Sequence, residues 1–390
     1  MRVAFAGGGT GGHVVPGLHL VARSLAADAP SLGDLLWFTS GRQVEERLLE
    51  GFEPPCSFER QVLTLEPPGG GAPGLGRLAL RTPSAVLAAR RALLVHRTEV
   101  LLGLGGFTTL PAALAARSLG IPVALLEINA APGRATRTLA RLATRVHHAW
   151  EGTLPPGGEG ARDRLVGAPV APEVSAVGDG ACSAEVARES LGFAPDRPLL
   201  VVLGGSQGAA SLNAFVRAHA DALLAGGVQV LHQCGPGRQA DEGPEERPGL
   251  RAVEFLSPVA TALAGATLVL CRGGASTLAE VAAARRPAIV VPYPHHADRH
   301  QERNARELGG GVDLVDDDDL GPDTVQQLLA LVGDAGASRR RAMSTELGRR
   351  VPRDAAGTLL TDLATLASGE AASRPPGSST DRAEPPVEPV

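Results

Sequence analysis

The sequence predicts an α/β protein of two doubly wound halves, each built on a parallel sheet, with a cleft between them. Three observations carry this. Short apolar runs alternate with helical stretches along most of the chain. The opening unit, Val3-Ala-Phe-Ala followed by Gly7-Gly-Gly-Thr-Gly-Gly-His13 and a helix, comes again at Leu199–Leu203 followed by Gly204-Gly-Ser-Gln-Gly-Ala209. Between the two units, Val166-Gly-Ala-Pro-Val-Ala-Pro172 breaks the alternation with two prolines, as a linker does. At 390 residues the chain is long enough for two such cores.

In the first half the expected strands are Val3–Ala6, Leu35–Thr39, Val100–Leu102, Val123–Leu126, Arg145–His147 and Leu165–Val166. The helix after the first strand runs from Val14 to Ala26. A glycine loop at that junction leaves backbone N–H groups unshielded at the positive end of a helix, which suits a phosphate or another anion. Gly7, Gly9 and Gly12 satisfy a dinucleotide fingerprint. Against that reading, the next strand ends in Ser40-Gly41-Arg42, where an NAD site places an acidic residue, and a titratable His13 sits on the loop.

Glu66–Gly76, rich in Pro and Gly, reads as a loop, and Thr82-Pro83 as a helix start. Leu75, Leu78, Leu80, Val86, Leu87, Leu93 and Leu94 are interleaved here with Arg77, Arg81, Arg90, Arg91 and Arg97. Such a segment is either a core-facing helix with a basic outer face or a surface that rests on an anionic bilayer. Gly103-Leu-Gly-Gly-Phe107, ahead of a helix opened by Thr108-Thr-Leu-Pro111, suggests a second anionic group on the same face of the sheet.

The second half adds expected strands at Val228–His232, Ala252–Glu254, Leu268–Cys271, Ala288–Val291 and Val312–Val315, with a helix over Ser211–Leu224. Cys271-Arg-Gly-Gly-Ala-Ser-Thr-Leu-Ala-Glu280 is a strand end, a glycine turn and a helix start, in which Thr277 and Glu280 have the spacing of a capping box. The polar stretch Pro292–Asn304 faces the cleft from the next strand end. Ser344–Leu366 reads as closing helices, and the Pro-, Ser- and Glu-rich remainder as disordered. The domain organisation is therefore 1–167, a linker at 168–174, 175–367 and a tail at 368–390.

Composition excludes several classes. A hydrophobic content of 44% with 20% charged residues is that of a soluble globular protein. No run of eighteen apolar residues spans a membrane, and the N-terminus enters a strand at once, so a cytoplasmic location is expected. A net charge of −5 argues against a general nucleic-acid binder. Cys56, Cys182, Cys234 and Cys271 are too scattered for a disulfide framework or a metal-binding pair. All 37 basic residues are arginine. Without lysine there is no Schiff base and no Walker A loop, so phosphate must be held by amides, hydroxyls and arginine.

The loop ending in His13, the Gly-Gly-Ser-Gln-Gly-Ala loop, and the Ala-Ser-Thr-x-x-Glu turn with the downstream His300-Gln301 and Asn304 together resemble the lipid II-forming N-acetylglucosaminyltransferase family of peptidoglycan synthesis (MurG), over about residues 1 to 335. That resemblance implies a GT-B fold whose first half takes the lipid-linked acceptor, undecaprenyl-pyrophosphoryl-MurNAc-pentapeptide. The second half takes the donor, UDP-GlcNAc. It implies no cofactor, no metal and a peripheral position on the cytoplasmic face of the cell membrane. It would set Thr10, Gly11, Gly12 and the base His13 at the reacting centre, and Gly105 and Gly106 at the acceptor pyrophosphate. Leu256 would meet the uracil and Glu280 the ribose. Ser206, Gln207, Ala275, Ser276 and Thr277 would hold the diphosphate; Asn129, His300, Gln301 and Asn304 would surround the sugar.

The chain departs from the family pattern at two places. Leu126-Glu-Ile-Asn129 stands where His-Glu-Gln-Asn is usual, and Ala168-Pro-Val-Ala171 where Asn-Pro-Val-Arg is usual. These losses leave room for a paralogue with another lipid acceptor. The rival activities are a UDP-GlcNAc epimerase of the same fold and an NADP-dependent oxidoreductase with Arg42 on the 2′-phosphate. A third rival is a non-catalytic sugar-nucleotide-binding subunit. His296 and His300, four residues apart with Asp298 between them, do not make a metal site, because Asp298 falls on another helix face.

Overall fold

A computed structural model of the chain describes residues 1–63, 65, 72–153, 162–238, 247–296 and 298–369. The first half alternates β1 (Arg2–Gly7), α1 (Gly11–Arg23), β2 (Asp34–Thr39), α2 (Gln43–Leu49), β3 (Ser57–Val62), α3 (Ala72–His96), β4 (Val100–Gly105), α4 (Thr109–Ser118), β5 (Val123–Glu127), α5 (Arg134–Leu139), β6 (Arg145–His148) and β7 (Asp163–Leu165). Among the described residues these strands form a parallel sheet in the order β3-β2-β1-β4-β5-β6-β7.

After α6 (Pro172–Gly178) and α7 (Ala184–Ser190), the second half runs β8 (Leu199–Leu203), α8 (Ala210–Ala225), β9 (Gln229–Gln233), β10 (Leu250–Val253), α9 (Val259–Gly265), β11 (Leu268–Cys271), α10 (Ala275–Ala283), β12 (Ala288–Val290), α11 (His300–Glu307), β13 (Val312–Leu314), α12 (Pro322–Val332), α13 (Ala337–Arg350) and α14 (Ala355–Ser368). Its parallel sheet has the order β10-β9-β8-β11-β12-β13.

Both sheets are buried on two faces, which is why their strands read as continuous apolar runs. In β1, Val3 and Phe5 join one hydrophobic cluster while Ala4 and Ala6 join the other; β8 divides in the same way between Leu199, Val201, Leu203 and Leu200, Val202. In each sheet the strand order reverses beside the first strand. The glycine loops after β1 and β8 therefore sit at the crevices where ligands of such sheets bind.

The structure departs from the sequence reading at several points. The edge strand β3 was not expected: its residues, Ser-Phe-Glu-Arg-Gln-Val, are half exposed and show no apolar run. Thr82-Pro83 does not start a helix, because both residues lie inside α3, which begins at Ala72 within the expected loop. Pro83 removes one amide and leaves its ring against the preceding turn, a cost that the length of α3 absorbs. Residues 66–71 and the tail from residue 370 lie outside the described residues, as do the side chains of 72–79.

The closing helix α14, assigned on sequence to the second half, returns to pack on α1 and β4 of the first. Buried Asp362 accepts from His147 Nε2 at 2.7 Å and pairs with Arg164 at 2.9 Å. Burial alone raises the Asp362 carboxyl, but the His147 hydrogen bond and the charges of His147, Arg164 and Arg145 outweigh it and hold the group below its ordinary 3.8.

Candidate active site

The two glycine loops face each other across the cleft. Thr10 is the N-cap of α1, and a Cβ built on Gly11 would stand 3.8 Å from the Ser206 hydroxyl of the opposite half. A cavity of about 1030 Å³ lies between the halves, walled by Thr10, Gly11, Gly12 and His13 on one side and by Ser206 and Glu280 on the other.

His13 lies in the first turn of α1. Its Nδ1 is 2.9 Å from the Gly8 carbonyl oxygen and 3.2 Å from Thr10 Oγ1. A carbonyl only accepts, so the neutral ring carries its proton on Nδ1 and Nε2 keeps a free lone pair. The ring packs on Gly105, where a Cβ would fall 2.6 Å from Cδ2 and 2.9 Å from Nε2, and where φ is +109°. Only glycine meets both demands. Burial holds the imidazole below its ordinary 6.5, against the opposing effects of the Gly8 carbonyl, Glu127 and Glu45.

Glu45 fixes this loop and was missed on sequence. Its side chain is fully buried and accepts from the amides of Ser40 (2.8 Å), Gly41 (2.9 Å) and Gly9, and from the Ser40 hydroxyl. The Gly9 amide is thus not open to an anion, contrary to the expectation for the whole loop. Arg42, which the oxidoreductase reading places on a phosphate, donates to the Gly9 carbonyl at 3.3 Å. The amides left for an occupant are those of Gly11 and Gly12, in the first helical turn, where no intrahelical partner exists.

On the other side of His13 lies a second cavity of about 370 Å³, lined by Leu104, Phe107, Leu110, Leu126 and Ile128. Gly105 and Gly106 border this apolar cavity rather than the interdomain cleft. His13 and Asn129 border both. Leu126 and Ile128, which stand in place of polar residues of the family pattern, are buried in the core. Glu127 between them accepts from Asn129 N (3.0 Å), Asn129 Nδ2 (3.1 Å), Gly133 N (2.7 Å) and Thr136 Oγ1 (2.7 Å), which shapes the loop rather than serving the cavity.

In the second half α10 is capped by Gly274, so Ala275, Ser276 and Thr277 form its first turn. The capping box expected of Thr277 and Glu280 does not form, because Thr277 is already inside the helix. The Ser276 hydroxyl is buried without a partner among the described residues. Glu280 makes no hydrogen bond or ion pair among the described residues, and burial pushes its carboxyl up from 4.5 to about 7. An unpartnered carboxylate on a cleft wall is arranged to accept donors from an occupant.

Gln301 Oε1 accepts from the amides of Tyr293 (2.9 Å) and Gly273 (3.2 Å), and His300 Nδ1 is 2.8 Å from Asp298; both side chains line the cleft. Asn304 does not. It is fully buried, takes the Ala130 amide at 2.7 Å, and donates to Gly273 O at 3.1 Å and Asn129 Oδ1 at 3.3 Å. It joins the two halves. Gln207 is exposed and Leu256 packs against the core, and neither lines the cleft. Among the described residues no three His, Cys, Asp or Glu side chains converge as metal ligands.

Residues 3–148 match the model of the glycosyltransferase family 28 N-terminal domain, and residues 199–353 that of the family 28 C-terminal domain. A Nocardioides UDP-N-acetylglucosamine–N-acetylmuramyl-(pentapeptide) pyrophosphoryl-undecaprenol N-acetylglucosamine transferase is 38% identical over 95% of this chain and 100% of its own length. A Mycobacterium (strain KMS) protein of the same name is 40% identical over 85% of this chain and 88% of its own. The crystal structure of Acinetobacter baumannii MurG superposes with a TM-score of 0.68 at 25% identity, covering 93% of this chain and 99% of that one. A putative UDP-N-acetylglucosamine 2-epimerase from Listeria monocytogenes, at 13% identity and a TM-score of 0.62 over 93% of this chain and 95% of its own, shares the fold alone.

Proposed function

We infer the activity from membership: the chain belongs to glycosyltransferase family 28, and within it to the UDP-N-acetylglucosamine–N-acetylmuramyl-(pentapeptide) pyrophosphoryl-undecaprenol N-acetylglucosamine transferases. It is a GT-B hexosyltransferase that moves GlcNAc from UDP-GlcNAc to the lipid-linked MurNAc-pentapeptide in peptidoglycan synthesis.

The roles of individual residues follow as our proposal. The acceptor 4-hydroxyl attacks C1 of GlcNAc. Its proton passes to His13 Nε2 as the new C–O bond forms, and the electron pair of the C1–O bond leaves on the UDP β-phosphate. One displacement inverts C1 and gives a β-linked product. The observation that carries this is the Nδ1–H···O bond from His13 to Gly8, which leaves Nε2 as the unprotonated nitrogen of a residue that borders both cavities. Ser206 and the first turn of α10 receive the diphosphate, whose growing charge a helix N-terminus stabilises. Glu280 accepts from the ribose hydroxyls.

Attachment to an anionic membrane surface at its cytoplasmic face belongs to the same proposal. Along α3, Leu80, Leu87, Leu94 and Val95 are 82%, 67%, 52% and 71% exposed, beside exposed Arg81, Arg90 and Arg91. The opposite face, Ala85, Ala89, Ala92 and Leu93, is buried against the domain. The transferase reading is tested with radiolabelled UDP-GlcNAc and undecaprenyl-pyrophosphoryl-MurNAc-pentapeptide. A labelled lipid of one added hexosamine is expected. UDP-GlcNAc binding with no labelled lipid refutes the acceptor assignment.

A further inference from the structure

A departing nucleoside diphosphate concentrates negative charge, and in a chain without lysine any side chain of permanent positive charge that meets it is an arginine. Among the described residues, two guanidinium groups line the interdomain cleft, Arg238 and Arg272. Arg272 is already engaged. It pairs with Asp317 at 2.5 Å and donates to Ser211 Oγ at 2.6 Å and Val291 O at 3.0 Å, so its charge is neutralised within the wall. The linker Ala168-Pro-Val-Ala171 carries no cation.

Arg238 is different. Its side chain makes no hydrogen bond or ion pair among the described residues. It stands at the end of Cys234-Gly-Pro-Gly-Arg238, the loop that leaves β9, and its own amide closes a turn onto Gly235 O at 3.3 Å. This loop is fastened to the one that bears Ser206. A Cβ on Gly235 would lie 2.7 Å from the Gly208 backbone, Gln233 Nε2 donates to Gly205 O at 3.2 Å, and Asn213 Nδ2 donates to Cys234 O at 2.9 Å. Glu254 takes the Gly237 amide at 2.8 Å. The turn beneath Arg238 is therefore held in place beside the Ser206 loop at the carboxyl ends of neighbouring strands, where Arg238 lines the cleft.

We propose that Arg238 binds the donor diphosphate and compensates the charge that develops on UDP as the bond to C1 breaks. A guanidinium fork suits two phosphate oxygens at once. This rests on the transferase reading, and the test separates the two. Binding of UDP and of uridine is measured by titration calorimetry for the parent, Arg238→Gln and Arg238→Lys, and transfer of labelled GlcNAc is followed in parallel. Arg238→Gln is expected to weaken UDP about 10- to 100-fold while uridine binding stays within about twofold, with Arg238→Lys recovering part of the loss. Transfer at saturating donor should also slow in Arg238→Gln. UDP affinity unchanged by Arg238→Gln, or an equal loss for uridine and UDP, in an enzyme whose parent transfers sugar, overturns the role of Arg238 and leaves the transferase intact. A parent that neither binds UDP nor transfers sugar overturns both.

Discussion

Glu280→Gln is expected to make the unliganded protein more stable and the donor complex weaker. The Glu280 carboxyl is raised from 4.5 to about 7 by burial on a wall that offers it no partner among the described residues. At about 1.36 kcal/mol per unit, this corresponds to about 3 kcal/mol of preference for the neutral form in the folded state. Below pH 4.5 the group is protonated folded and unfolded alike and costs nothing. Between 4.5 and about 7 the unfolded chain ionises first, so stability falls as pH rises; above about 7 the whole penalty is present. Glutamine never ionises and escapes it. Calorimetric melts should therefore place the variant above the parent at pH 8, by about 1–2 °C for each kcal/mol in a chain of this length. At pH 5 the gap should shrink to under about 1 kcal/mol. In the complex the order should reverse: on the proposed role the carboxylate accepts from both ribose hydroxyls, and its loss should weaken UDP by about 1–3 kcal/mol. Parent affinity for UDP should rise between pH 6 and 8, because the ionised form is the acceptor. Equal melting temperatures at pH 8, or a gap of the same size at pH 5 and 8, would refute the reasoning.

Three further outcomes follow from the same geometry. His13→Ala should lower kcat about 10²–10⁴-fold while UDP affinity changes little, and parent kcat should rise with pH through a value below 6.5; weak donor binding with near-normal turnover would move His13 into the anion site. Asp362→Ala leaves His147 and Arg164 without their carboxylate and should cost about 3–5 kcal/mol in urea unfolding. Because the Asp362 carboxyl is held below 3.8, its contribution is present above that pH and is lost as pH falls through the lower folded value. Glutamates at Arg81, Arg90 and Arg91 should release the protein from anionic vesicles and spare UDP binding, and vesicle binding equal to the parent's would return α3 to an ordinary core helix.

The sheets were legible because their strands are buried on both faces and so read as unbroken apolar runs, and because two strand–glycine–helix units repeat. Edge strand β3 was not, since a half-exposed strand with Glu59, Arg60 and Gln61 carries no such run. Position 277 misled for another reason. Thr277 and Glu280 have capping-box spacing, but Gly274 is an equally good cap three residues earlier, and spacing alone does not choose between them. Asn304 was placed at the sugar from its motif, yet its amide joins Ala130, 174 residues away, and no local pattern records a partner at that distance. Nothing local in the acidic run Asp316–Asp319 records that Asp317 accepts from Arg272 and Ser211, which lie far away in sequence.

The two glycine loops look alike in sequence and are used differently. In the first, the Gly9 amide belongs to Glu45, and the Gly8 carbonyl orients His13. A loop that presents a carbonyl to an imidazole favours a proton acceptor at that point, not a bound phosphate. Among the described residues the loop after β8 carries no carboxylate contact; its Ser206 lines the cleft, with the Arg238 turn beside it. In the proposed mechanism the halves divide the chemistry of the displacement, with His13 as proton acceptor on one wall and Ser206, the first turn of α10 and Arg238 as donors for the departing diphosphate on the other. The contacts that keep them in register, Asn304 to Ala130 across the cleft and α14 returned onto β4, are therefore part of the site even though none of these residues is placed on a substrate.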